Sequence, residues 1–251
     1  MGLYGTGQST VFGIQTVDMG VFGGILLGLV CGWVYNRPCE KQFKVRVYID
    51  QADASLKALG FTEHSFQHVT RVAQTAGWIL ETLGYPERTV ELVKIAGYLH
   101  DIGNVVNRVD HSQSGAVMAF RILDRMNFPP EEIAAIVTAI GNHDEGTGQP
   151  VSAFAAALIL ADKSDVRRSR VRDKATVALD IHDRVNYSVT DCHLEFDEAH
   201  TSIRLILTVD TELGSVMEYL EIFMKRMLLC QKAAQALGLT FHLVINGQLL
   251  V

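Results

Sequence analysis

Four ionisable residues stand on helical faces that are otherwise apolar. His68 shares a face with Val72 and Ile79, His100 continues the stripe of Val93 and Ala96, His143 follows Ile136 and Ile140, and Asp162 follows Ala155 and Leu158. A lone histidine on such a face is more often a satisfied core residue, but an ionised carboxylate buried there without a partner costs several kcal/mol. A metal ion accounts for all four at once, with imidazole nitrogens and carboxylate oxygens as ligands. The dipeptide His-Asp is not informative by itself, because it occurs at His100, His143 and His182. His100 and Asp101 sit where an apolar helix ends, in YLHDIGN, so that adjacent side chains can diverge around one cation; His182 and Asp183, in DIHDRVNYS, read as surface or helix-end residues.

The elements that must position these residues follow from periodicity. Phe66 to Leu83 places Val69, Val72, Ala73, Ala76, Ile79, Leu80 and Leu83 at helix spacing before Gly84. Pro86 suits the first turn of a second helix, with Leu92, Ile95, Ala96, Leu99 and Ile102 as its stripe and Gly103 as its terminator. A third helix is predicted from Ser112 to Met126, a fourth from Pro129 and Pro130 through Ile140, a fifth from Val151 to Asp165 and a sixth from Lys174 to Ser188. After Asp191 the pattern changes. His193 to Phe196 and Ser202 to Val209 read as strands, Glu212 to Leu237 as a long helix and Thr240 to Ile245 as a last strand. The fold class expected is mainly α, a helical bundle with a small C-terminal α+β unit and an N-terminal apolar helix. The corresponding division is an extension over 1–43, a helical domain over 44–190 and an α+β subdomain over 191–251, whose role is packing or a homodimer contact.

At His68, then His100 and Asp101, then Asp162, the order of motifs resembles the HD superfamily of metal-dependent phosphohydrolases, over roughly residues 47–188. The resemblance implies that this series holds one divalent metal. It also implies that His111, in VDHSQSG, and His143, in GNHDEG, hold a second ion, with Asp101 bridging the two. The branch that cleaves cyclic dinucleotides carries a histidine pair and a GYP signature, whereas here Asn142 precedes His143 and EGTGQP follows Asp144. The closer likeness is to generic bacterial HD phosphohydrolases, including two-metal members that split dinucleoside polyphosphates. The expected reaction is hydrolysis of a phosphoester or phosphoanhydride, of a nucleotide or another small phosphorylated substrate, by attack of metal-bound hydroxide. Mixed His and carboxylate sites accept manganese, iron, cobalt, nickel or zinc, so metal identity stays open.

Beyond Asp162 the run KSDVRRSRVRDK supplies Lys163, Arg167, Arg168, Arg170, Arg172 and Lys174 against Asp165 and Asp173. It can bind phosphate through guanidinium contacts, with Lys163 nearest the phosphate, or it can be a helix end that pairs with nearby acids. Glu145 is a candidate proton-transfer residue. Two other readings stay open: a nonenzymatic nucleotide-binding signalling module, and a di-iron HD-type oxygenase. The complete ligand set favours a hydrolase over the first, and the basic run favours phosphate over the second.

Composition narrows the partners. The 251 residues carry 22 Lys and Arg against 28 Asp and Glu, a net charge of −6, which disfavours broad nucleic-acid binding. With 48% hydrophobic and 20% charged residues, a long disordered chain is excluded. Cys31, Cys39, Cys192 and Cys230 form no CxxC pair, which fits a reducing, cytoplasmic setting. The mean hydropathy of +0.17 is raised locally. From Met19 to Tyr35 there is no charge, Gly20, Gly24, Gly28 and Gly32 recur every four residues, and Arg37, Lys41, Lys44 and Arg46 follow. This is a candidate membrane anchor that would leave the rest of the chain at the inner face of the membrane, or a buried hairpin, or an extension unrelated to the function of the rest. Residues 12–37 resemble a fragment of the sugar-permease membrane subunit of phosphotransferase systems, without any sugar-handling part, so transport is not implied.

Overall fold

The computed structural model describes residues 38–251 apart from Lys174, Thr176, Ala178 and Leu179. The apolar segment Met19–Tyr35, Cys31 and the fragment likeness over 12–37 lie outside the described residues. Among the described residues, no helix is long and apolar enough to cross a membrane. The described chain is mainly helical, with a small C-terminal sheet.

Eight α-helices are described: α1 (Pro38–Ala58), α2 (Phe66–Thr82), α3 (Glu87–Leu99), α4 (His111–Arg125), α5 (Pro130–Gly141), α6 (Ala153–Lys163), α7 (Ile181–Ser188) and α8 (Val216–Ala236). Their starts follow from capping chemistry. The Ser65 hydroxyl accepts from the Gln67 amide at the head of α2, and Ser152 accepts from the Ala155 amide at the head of α6. Pro86 and Pro129 precede α3 and α5, where a fixed φ and a missing donor do no harm. Gly84, at φ +76°, turns the chain out of α2 in a conformation that favours glycine.

Helix α6 is the axis of the bundle. All residues from Ala155 to Lys163 are buried, and α2, α3, α5 and α8 pack around it. A helix apolar on every side belongs in a core, and each fully buried Leu or Ile there contributes about 1.5–3 kcal/mol. Helices α2 and α3 meet at Gly97, where an added Cβ would lie 2.7 Å from Ala73 Cα.

Four strands, β1 (Val189–Phe196), β2 (Ser202–Val209), β3 (Thr240–Ile245) and β4 (Gln248–Leu249), form one sheet in chain order. β1 and β2 are antiparallel, β2 and β3 are parallel with Ser202 opposite Thr240, and α8 makes the crossover between them. Leu205, Leu207 and Leu243 from the sheet belong to the same apolar core as Val72, Ile136 and Leu158, so sheet and bundle share one interior. Cys192 and Cys230 are buried free thiols, both pushed up to about 12 by burial.

Several boundaries differ from the sequence reading. The second helix stops at Leu99, and Ile102 and Gly103 belong to a separate 3₁₀ turn, Ile102–Val105. The reason is close approach: a Cβ on Gly103 would collide with the His111 carbonyl oxygen and the Gly115 amide, so this glycine seats the turn against α4 and does not end α3. The sixth helix begins at Ile181, where the Asp180 carboxylate caps it, and β1 begins at β-branched Val189. The long helix starts at Val216 because Ser215 and Glu218 form a reciprocal capping box.

Candidate metal centre

The chemistry collects at helix ends. His68 lies in the first turn of α2, His100 and Asp101 immediately follow α3, His111 opens α4, His143 and Asp144 follow α5, and Asp162 is the penultimate residue of α6. The last carbonyls of a helix lack internal partners, and imidazoles take them up. His100 Nδ1 donates to Gly97 O at 2.7 Å and His143 Nδ1 to Ile140 O at 2.6 Å, while His111 Nδ1 donates to Arg108 O, in the turn before α4, at 3.0 Å. His68 Nδ1 instead meets Asp165 Oδ2 at 2.7 Å. Each outer contact puts the proton on Nδ1, which leaves the Nε2 lone pair for whatever lies inside.

Inside, the Nε2 atoms converge on carboxylates. His68 Nε2 is 3.5 Å from Asp101 Oδ2 and 3.3 Å from Asp162 Oδ1. His100 Nε2 is 3.4 Å and 3.7 Å from the same two atoms. Across Asp101, its Oδ1 is 3.4 Å from His111 Nε2, which lies 3.2 Å from His143 Nε2. Three overlapping triads result: His68, His100 and Asp101; His100, His143 and Asp162; Asp101, His111 and His143, with the ligand atoms of each within 4.8 Å of one another.

These atoms fit a cation better than they fit each other. His68 Nε2, His100 Nε2 and Asp101 Oδ2 are buried with no hydrogen-bond partner among the described residues. Leaving such a group unpaired costs about 1–3 kcal/mol, more if charged. Two ligand atoms each about 2.1 Å from one ion stand about 3.0 Å apart at a right angle and about 3.4 Å apart at the tetrahedral angle, close to the spacings found. The electrostatics agree. Burial pulls the His68 and His100 imidazoles down, but the Asp101 and Asp162 carboxylates outweigh it, joined at His68 by Asp165; His68 ends above its ordinary value and His100 at about 10. Burial raises Asp101 and Asp162, yet the imidazoles, and Lys163 beside Asp162, hold both well below the ordinary carboxylate range. A point where imidazoles gain protons and carboxylates refuse them is a point that attracts positive charge.

Other expected site residues are placed as follows. Lys163 is buried, with Nζ 2.7 Å from Asp162 Oδ2 and 3.8 Å from Glu145 Oε1. Glu145 Oε1 accepts from Arg226 Nε of α8 at 2.8 Å. The arginines of the basic run are taken up by protein acceptors, the second of the two readings that the run allowed. Arg167 pairs with Asp165 and Glu63, Arg168 with the Tyr187 carbonyl and Asp210, Arg170 with the Asp165 and Glu63 carbonyls, and Arg172 with Asp53. Lys174 lies outside the described residues.

Sequence reasoning missed Asp165, Asp144, Asn104 and Arg226. Asp165 fixes His68 while Arg71, Arg167 and Arg170 surround it. Asn104 Nδ2 donates to Asp101 Oδ1 at 2.9 Å, and Asp144 Oδ1 lies 3.9 Å from His111 Nε2. The available signal was spacing: Asp165 stands three residues after Asp162, one turn along the same chain.

A helical bundle whose helix ends bring four imidazoles and two carboxylates to one buried point defines a protein able to hold divalent metal. Residues 65–186 match the family model of the HD domain, a superfamily whose members are typically metal-dependent phosphohydrolases. The chain is also similar to an uncharacterized protein of Methanocaldococcus jannaschii, 26% identical over 204 residues, a match covering 72% of this chain and 78% of the relative.

Proposed function

We propose that the chain is a metal-dependent phosphohydrolase that cleaves a phosphoester or phosphoanhydride of a small substrate, a nucleotide being the favoured class. The observation that carries this reading is the set of orphaned, inward-facing atoms His68 Nε2, His100 Nε2 and Asp101 Oδ2 at the HD motif. In this reading His68, His100, Asp101 and Asp162 hold one divalent ion, and Asp101, His111 and His143 hold a second. Such ions, when bound, lower the pKa of water and neutralise phosphoryl oxygens. The chain's own residues supply the rest. Asp101 turns one oxygen to each side, Asp165 and the three backbone carbonyls fix the imidazole rings, and Lys163 places a buried cation beside Asp162, where substrate charge needs an answer. Glu145, aligned by Arg226, stands next to Lys163 as the group available to accept or pass a proton. Arg167 and Arg170 act through Asp165, and Arg168 supports the same loop.

Residues 44–190 make up the hydrolase unit in this reading, 191–251 a supporting subdomain that reaches the centre through Arg226, and 1–43 an extension. The test is metal analysis of the full chain purified without chelator, followed by a phosphate-release screen over nucleotides with manganese, iron or cobalt. Release that needs a divalent ion and vanishes in a folded Asp101→Ala variant is expected; release that survives that substitution removes the reading.

A further inference from the structure

Four arginines near the centre are answered by carboxylates. Arg71, Arg167 and Arg170 serve Asp165, and Arg226 serves Glu145. Arg108 is different. Its guanidinium meets Asn104 Oδ1 and His111 Nε2, each at 3.4 Å, and lies over the Phe61 ring at 5.6 Å from the centroid. Among the described residues, those contacts include no acid. Its own carbonyl takes the Nδ1 proton of His111, and Asn104 is the residue that holds Asp101 Oδ1, so Arg108 is built into the His111 side of the centre from both ends. Phe61 is 41% exposed, which puts this side at the solvent edge.

From this arrangement we infer that Arg108 binds a phosphoryl group of the substrate at the mouth of the His111–His143 side. The inference rests on the hydrolase reading and supplies the anion contact that the sequence placed in the run after Asp162. A guanidinium stays charged at any relevant pH and presents paired N–H donors that match phosphoryl oxygens. Beside a ligand nitrogen it would repel a cation held by Asp101, His111 and His143, and an anion between the two positive groups turns that repulsion into attraction from both sides. Stacking on Phe61 and anchoring by Asn104 limit the side-chain freedom that binding would otherwise have to remove.

The test uses the full chain and inorganic phosphate as the probe. Phosphate affinity is read from the shift in thermal unfolding, and metal content and KM for any substrate found in the screen are measured in parallel. Arg108→Gln is expected to weaken phosphate binding about 10–100-fold and to raise KM by a similar factor with metal content unchanged, while Arg108→Lys keeps part of the binding. Unchanged phosphate affinity in Arg108→Gln, or a wild-type chain that phosphate does not stabilise, overturns the inference. Loss of metal along with phosphate does so too, since it would make Arg108 a support for His111 only. The two readings fail separately. Turnover with an indifferent Arg108 leaves a hydrolase without this subsite, and phosphate binding lost in Arg108→Gln without turnover of any phosphoester leaves the subsite without the hydrolase.

Discussion

On one side of Asp101, His68 and His100 face a second carboxylate, Asp162, and His68 is backed by the fully ionised Asp165; on the other, His111 and His143 are backed by neutral backbone carbonyls and face Asp144 and the Arg108 guanidinium. The proton equilibria record the contrast. His68 and His100 are raised by their carboxylates, whereas burial lowers His111 despite Asp101, and burial together with the His100 and Lys163 charges brings His143 down to about 3. The first side is an anionic pocket that needs a cation to balance it. The second shares one carboxylate oxygen and leaves part of its charge to be completed by whatever enters from the solvent edge. A fold can thus set two unequal affinities around a single aspartate by choosing what stands behind each imidazole.

The largest separation between the sides is expected from metal occupancy. His68→Gln removes an orphaned nitrogen from the anionic pocket and should weaken binding there by about 10³-fold, the several kcal/mol that a ligand on a buried cation contributes. His143→Gln should leave that ion in place and affect only the other. Metal per chain after gel filtration, measured for both variants, decides it; equal losses in the two would erase the distinction. A smaller effect is expected from Asp165→Asn, which touches no ligand position directly. The amide keeps an acceptor for His68 Nδ1 but removes the charge that makes the ring a stronger donor, so affinity on the His68 side should fall about 10–100-fold. Chelator competition reads this, and an unchanged affinity would reduce Asp165 to a partner for Arg71, Arg167 and Arg170.

Asp165 also shows where sequence reading stops. His68, His100, His143 and Asp162 were legible because each interrupts an apolar stripe, and stripes survive translation into helices such as α6 unaltered. Asp101 was legible from the helix end it shares with His100, and His111 only through motif order, since as the first residue of α4 it precedes any stripe that periodicity could read. Asp165 was hidden in a charge run, and a run looks the same whether its members face water or one another. Arg167, Arg170 and Arg172 allowed a phosphate-binding surface or a self-paired helix end for that reason; Asp165 is local to the run, but the other acceptors, Glu63 and Asp53, become neighbours only when α1 and the α1–α2 connection fold over the end of α6. Arg226 lies sixty-four residues beyond Asp162, on a helix that gave no chemical signal, and reaches the centre through the parallel crossover of the sheet. Helices and local order are written in neighbouring residues, whereas a charge's partner is a property of topology.

The smallest expected effect is on the pH dependence of folding in the chain stripped of metal, and there the two sides should pull in opposite directions. His100 has a folded pKa of about 10 against an ordinary 6.5. The folded state therefore holds a proton that the unfolded chain releases, and the stabilisation, complete below about pH 6.5, is lost as pH rises toward 10. His143 has a folded pKa of about 3. There the unfolded chain takes up a proton below about pH 6.5 that the buried ring refuses, so stability falls as pH drops from 6.5 toward 3. Each limb has a limiting slope of about 1.4 kcal/mol per pH unit per group. Urea unfolding of the metal-free chain should trace a dome with its top near neutral pH. His143→Gln should flatten the acid limb and His100→Gln the alkaline one. Adding the divalent ion should abolish the alkaline limb in the wild type, because the cation replaces the proton between Asp101 and Asp162; a limb that persists in the loaded protein would place the ion somewhere else.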